Sequence, residues 1–277
     1  MLGQHVRIQC RDARLEDMVR ANFGAMLASE GEQVADLAYV LGADGGRSRF
    51  TLARAGAPVQ RAGHSADLLF LLEKDLVVAL QHRRPDLLFL HAAALTHRGR
   101  AYVLVGDSGH GKSTTAWGLL HHGFGYLSDE LAPIDLATLE VLAYPHALCL
   151  KRAPPEYPLP QGVLDLKATL HVPTRTMPQA AAADARCPLE AVLFVRYLKD
   201  ATTPVLRELG RAEAGARLYV ASLNALAHPH RGMDAIARIA RELPGFALDA
   251  AGLGATCDLV CRMAAASDHV PGVTASG

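Results

Sequence analysis

The chain lacks an excess of either charge: 28 Lys plus Arg balance 28 Asp plus Glu, so the formal net charge is zero. A surface built to neutralise nucleic-acid phosphates or anionic lipid is not indicated, and neither nucleic acid nor membrane is an expected partner. Long hydrophobic runs are missing too. Leu68 to Leu72 and Leu87 to Leu90 stop at Glu73 and His91, far short of the roughly 18 to 20 residues that span a bilayer. Near the start, Gln4, His5, Arg7, Gln9 and Arg11 interrupt the apolar stretch a secretion signal needs, so the expected location is the cytoplasm. Cysteine is sparse. The five (Cys10, Cys149, Cys187, Cys257 and Cys261) are odd in number and scattered, which fits reduced thiols better than a disulfide framework. No second Cys or His pair stands at zinc-ligand spacing from Cys257 and Cys261, which read as two small residues on one helix face. Half the residues are hydrophobic, so a packed core is expected, in one large domain or two unequal ones over 277 residues.

Periodicity predicts a small α/β opening: a strand over Val6 to Cys10, a helix over Arg14 to Ala28, and two strands, Leu37 to Leu41 and Arg49 to Arg54, joined through Gly42, Gly45 and Gly46. A helix from Ser65, read as its N-cap, to His82 follows, and Pro85 forbids its continuation. Residues 1–84 are therefore expected as a small N-terminal α/β domain suited to partner recognition. Residues 85–266 form the expected catalytic domain and 267–277 a loose tail. In the second domain Leu87 to Leu95 and Ala101 to Val105 read as a hairpin, Lys112 to His122 as a helix closed by Gly123, and Gly125 to Ser128 as a strand. The proline-rich stretch from Leu142 to Pro178 reads as an irregular lid. Leu189 to Leu198 reads as a buried strand, with helices over Ala212 to Ala225, Met233 to Leu243 and Gly252 to Ala266.

Gly106-Asp107-Ser108-Gly109-His110-Gly111-Lys112-Ser113, followed by Thr114, matches the phosphate-binding loop G-x-x-x-x-G-K-[ST] in full, with a strand before it and a helix after. The glycines let backbone N–H groups curl around phosphate oxygens, Lys112 brings a mobile positive charge, and Ser113 offers a hydroxyl to Mg²⁺. Asp129 and Glu130 end the next strand only 17 and 18 residues after Lys112. That interval holds one helix, one turn and one strand, so the carboxylates should return beside the loop, able to accept a proton and to hold a metal. His91, within an apolar strand, is as readily a hydrogen-bonded core residue as a catalytic one. His110 reads as a solvent-facing spacer and His121 and His122 as partners for helix-end carbonyls; Lys151, Arg152 and Arg196 could reach acceptor or phosphate, but a solvated surface position is the favoured reading for each of them.

The His91-Ala92-Ala93-Ala94 segment, the loop, and Gly123-Phe124-Gly125-Tyr126-Leu127-Ser128-Asp129-Glu130 together resemble bacterial HPr serine kinase/phosphorylase. They are more similar still to the HPr-kinase-related proteins, some of which phosphorylate serine on lasso peptide precursors. The resemblance covers about 45 residues closely and implies an α/β P-loop kinase core of the HPr kinase and phosphoenolpyruvate carboxykinase type, with Mg·ATP as donor and a serine of a peptide or small protein as acceptor. It implies Asp129 as the base, Glu130 and Ser113 on the metal side, and His91 ordering the reacting phosphate or water. Glu130 departs from the family's second Asp, and Leu164-Asp165-Leu166-Lys167 matches poorly the stretch tied to dephosphorylation, so phosphorylase activity is not expected. The family is hexameric. The N-terminal portion here differs, so the implication extends only to self-association. A kinase of a small hydroxylated metabolite and a nucleotide-driven switch are the competing readings.

Overall fold

The computed structural model describes residues 1–28, 34–43, 49–166 and 168–267. Asp12 accepts hydrogen bonds from the N–H groups of Arg14 and Leu15, which ends strand β1 (Val6–Cys10) and caps helix α1 (Ala13–Phe23). The helix buries Leu15, Met18 and Phe23 and returns the chain to β2 (Leu37–Ala43), parallel to β1. Antiparallel β3 (Phe50–Arg54) and β4 (Gln60–Ala62) complete a four-stranded sheet in the order β1-β2-β3-β4. Gly42 lies inside β2, while Gly45 and Gly46 of the expected turn lie outside the described residues. Helix α2 (Ser65–Arg83) covers β3 and β4 and buries Leu68, Leu69, Leu72, Leu76 and Leu80. His64, not Ser65, holds its N-cap position, and no side chain caps it.

The buried cluster under α2 continues into Leu87, Phe89, Leu131, Leu142 and Tyr144, so one apolar core runs from the N-terminal sheet into the rest of the chain. Buried polar ties reinforce it. Asn22 accepts from the Ala147 N–H at 2.8 Å through its carbonyl, its side chain meets His171 at 2.6 Å, and Glu73 pairs with His146 at 3.0 Å. Burial disfavours charge on His146, but the Glu73 carboxylate outweighs it and raises the imidazole pKa above its ordinary value. A raised folded-state pKa stabilises the fold fully below the unfolded value of about 6.5, and that contribution is lost as pH rises through the folded value. Thermal melts should therefore fall as pH rises above about 6.5 in the wild type. Glu73→Gln should flatten that slope and lower the melting point at pH 6.

Strand β5 (Leu87–Leu90) and strand β6 (Ala92–His97) divide the run expected as one strand. The break is His91, whose N–H donates to the Ala221 carbonyl at 2.8 Å. β6 forms the hairpin with β7 (Arg100–Val105), then come α3 (Lys112–His121), β8 (Gly125–Ser128), β9 (Ala132–Asp135), which takes β5 as its partner, and β10 (Glu140–Leu142). The proline-rich stretch is not an irregular lid throughout. It contributes β11 (Leu148–Leu150), β12 (Leu164–Asp165) and β13 (Leu170–Val172), a three-stranded sheet in the order β11-β13-β12. Leu148, Leu150 and Val172 are buried against Trp117 and Leu120, and apolar burial of that kind outweighs the local preference of prolines for open loops.

The remaining elements are β14 (Arg186–Tyr197), β15 (Val205–Glu208), α4 (Arg211–Ala221), α5 (Met233–Glu242), β16 (Gly245–Ala250) and α6 (Leu253–Ser267). Ser267 closes α6, and the rest of the expected tail, 268–277, lies outside the described residues. The large sheet has nine strands, ordered β5-β9-β10-β14-β7-β6-β8, with β16 against β14 and β15 against β16. Twelve residues long, β14 meets β10 through Arg186 to Pro188 and β16 through Val192 to Tyr197, while β7 lies parallel along its other edge. Among the described residues the architecture is mixed α/β with three sheets. Because β6 runs antiparallel to both β7 and β8, the ends of β7 and β8 and the start of β6 share one edge. That edge carries the glycine loop, Asp129, Glu130 and His91. Among the described residues no helix is long and apolar enough to cross a membrane.

Candidate functional site

Glycine is required at three points of the loop between β7 and α3. A Cβ on Gly106 would stand 2.8 Å from the Val195 carbonyl oxygen of β14. Gly109 and Gly111 have φ of +91° and +90°, which L side chains rarely adopt. The curl is fixed by the His110 N–H donating to the Asp107 carbonyl and the Tyr197 N–H donating to the His110 carbonyl, both at 3.0 Å. Gly111 is the N-cap of α3 and brings no capping side chain. Among the described residues the N–H groups of Lys112, Ser113 and Thr114 therefore have no acceptor. Three aligned donors at the positive end of a helix suit an anion. Gly106→Ala should push the loop off β14, and its melting temperature should drop by the equivalent of about 1–3 kcal/mol, as forced overpacking does.

Lys112 is 5% exposed and lies between two carboxylates, with Nζ 3.2 Å from Asp129 Oδ1 and 2.9 Å from Glu130 Oε1. Burial opposes its charge, yet Asp129 and Glu130 raise its pKa above the ordinary lysine value. Asp129 is fully buried at the end of β8 and has three donors: Lys112, the Ser113 hydroxyl at 3.1 Å and the Cys149 N–H at 3.1 Å. Glu130 follows with φ of +67°, a left-handed backbone conformation that costs a non-glycine residue roughly 1–3 kcal/mol. That turn directs its side chain to Lys112 and to His91, whose Nε2 is 2.6 Å from Glu130 Oε2. Burial alone raises the Glu130 pKa. The His91 hydrogen bond and the Lys112 charge together hold it well below the carboxylate range. Glu130 and His91 are both about half exposed (47% and 40%), unlike Asp129.

One ammonium between two carboxylates leaves a net negative charge, and Ser113 Oγ beside Asp129 Oδ1 gives two hard oxygen donors. That set fits Mg²⁺, which takes few protein ligands and leaves the rest to phosphate and water. The donors without acceptors at the start of α3 fit nucleotide phosphates equally. The resemblance implies Ser113 and Glu130 on the metal side; here Ser113 meets Asp129, and Glu130 meets both His91 and the Lys112 that it shares with Asp129.

The other sequence candidates separate clearly. Asp107 and Ser108 are exposed on the loop, and His110 is half exposed, 3.7 Å from Asp107. α3 closes through backbone and not through imidazoles: His122 is the C-cap residue with its N–H on the Leu119 carbonyl, and Gly123 follows at φ +88°, with the Phe124 N–H returned to the same carbonyl. The two histidines grip Tyr157 instead. His121 stacks on its ring, and His122 Nε2 meets its hydroxyl at 2.6 Å. Arg196 is engaged by both oxygens of Asp249 at 2.9 and 3.0 Å. Sequence reasoning missed the Cys149 N–H on Asp129. A backbone donor carries no residue-type signal, so nothing in the composition of that strand announces it.

No protein-family model matches the chain, and no curated protein does. Among solved structures the chain is similar to the HPr(Ser) kinase/phosphatase from Coxiella burnetii, with a TM-score of 0.36 and 12% identity, over 65% of this chain and 97% of that one. A likeness this slight decides nothing about activity.

Proposed function

We propose that this chain is an ATP-dependent phosphotransferase that moves the γ-phosphoryl group onto a serine hydroxyl of a peptide or small protein. The observation that carries the reading is the Lys112 ammonium held between Asp129 and Glu130, with Ser113 on Asp129, under the N–H groups that open α3. On this reading the loop amides and helix start bind the β and γ phosphates, and Lys112 turns from the carboxylates onto them. Ser113 and Asp129 would hold Mg²⁺, which when bound neutralises phosphate charge. The serine oxygen attacks the γ phosphorus in line. A new O–P bond forms as the bond to the β–γ bridging oxygen breaks, and ADP leaves. The hydroxyl proton passes to the exposed His91–Glu130 pair. This division favours Asp129 for the metal and His91 with Glu130 for the proton, the reverse of what the family resemblance implies for the two acids. Serine as acceptor, and a lasso-type precursor as the peptide that bears it, rest on that resemblance alone.

Isothermal titration with Mg·ATP should show binding, and γ-labelled ATP should transfer its label to a serine-containing precursor peptide. Folded protein that binds no nucleotide at millimolar concentration overturns the reading. Label released only to water, with every peptide left unmarked, favours the switch or ATPase instead.

A further inference from the structure

We propose that Lys151 is a second phosphate-binding cation of the nucleotide site, contributed from outside the glycine loop by the small β11-β13-β12 sheet. The proposal rests on the nucleotide reading above. The Lys151 ammonium lies 3.6 Å from the point a Cβ on Gly109 would occupy, so it stands directly over the crest of the loop. Among the described residues it has no carboxylate partner and no hydrogen bond. It is therefore free to turn onto an anion.

Two features of its placement make this more than a chance surface lysine. Lys151 follows β11 directly and comes two residues after Cys149, whose N–H holds the buried Asp129 carboxylate at 3.1 Å. Strand β11 is thus tied to Asp129 at one point and delivers a cation to Gly109 at the next. The site also needs that charge. Lys112 already faces two carboxylates, so loop and acids together carry a negative excess before a polyphosphate enters. Arg196, by contrast, is already engaged, with Asp249 on two nitrogens of its guanidinium fork at 2.9 and 3.0 Å. Lys151, on a long flexible stem, delivers a point charge to the phosphate chain.

Titration calorimetry of Mg-free ATP and of inorganic tripolyphosphate into the wild type, Lys151→Ala and Lys151→Arg tests this. Lys151→Ala should weaken both ligands about tenfold or more, the loss expected when one charge-assisted contact goes. It should also make binding less sensitive to salt, and Lys151→Arg should recover most of the affinity. Lys151 is exposed, so its removal leaves the core intact. Wild-type affinity and salt dependence in Lys151→Ala overturn the assignment while leaving the nucleotide reading in place. A wild type that binds neither ligand overturns both.

Discussion

Lys112→Ala should reduce ATP-dependent phosphoryl transfer by about 10³-fold or more, the scale of losing a preorganised charge at a transferring phosphoryl group. The expected size follows from where the ammonium stands. At 5% exposure it is shielded from water, so its interaction with phosphate is screened little. Its partners are left unpaired as well. Asp129 is fully buried, and without Lys112 it faces Glu130 with only the Ser113 hydroxyl and the Cys149 N–H to hold it. The fold should then lose stability, because breaking a buried pair costs roughly 3–5 kcal/mol. Two readouts separate the effects. A thermal melt follows the stability loss, and transfer of label from γ-labelled ATP is measured at a temperature where the variant is folded. Transfer by the folded variant within tenfold of the wild type removes Lys112 from the chemistry.

The glycine loop and the returning acids were legible because their constraints are local. The loop's glycines are demanded by φ near +90° at Gly109 and Gly111, and Gly123 stops α3 so that four residues of β8 carry Asp129 back. Seventeen residues admit few other paths. The break at His91 was not legible. Leu87 to Leu95 is apolar throughout except at that residue, and distant partners, β9 and the segment from Ala221 to Asn224, draw β5 away from the hairpin. The same holds for β16. Its six residues carry no alternation strong enough to mark a strand, and it is ordered by parallel pairing with β14, some fifty positions earlier in the chain. The proline-rich segment misled in the opposite direction, because Pro154, Pro155, Pro158 and Pro160 cluster between β11 and β12 and obscure the short strands on either side. Neither the Cys149 donor nor the reach of Lys151 to Gly109 could be read before that small sheet was known.

Asp129→Asn and Glu130→Gln should fail in different ways, and the difference decides which acid serves the metal. Asp129 receives donors on both oxygens: Lys112 and Ser113 on Oδ1, Cys149 on Oδ2. An asparagine offers one oxygen and one N–H₂, so at least one of those donors meets another donor in a fully buried place, at a cost of about 1–3 kcal/mol. Asp129→Asn should therefore lower the melting point, cut transfer by roughly 10² to 10⁴, and remove the gain in ATP affinity that Mg²⁺ confers. Glu130 is half exposed and its main partners are side chains that can rearrange. Glu130→Gln should leave the melt and the Mg²⁺-dependent affinity nearly unchanged while lowering the transfer rate, since the pair with His91 loses its charge. Calorimetry of ATP with and without Mg²⁺, run beside the transfer assay on both variants, gives the comparison. The opposite pattern, with Mg²⁺ dependence lost in Glu130→Gln and kept in Asp129→Asn, assigns the metal to Glu130 and the proton to Asp129. In that case the contact between Ser113 and Asp129 orders the loop but does not mark the metal site.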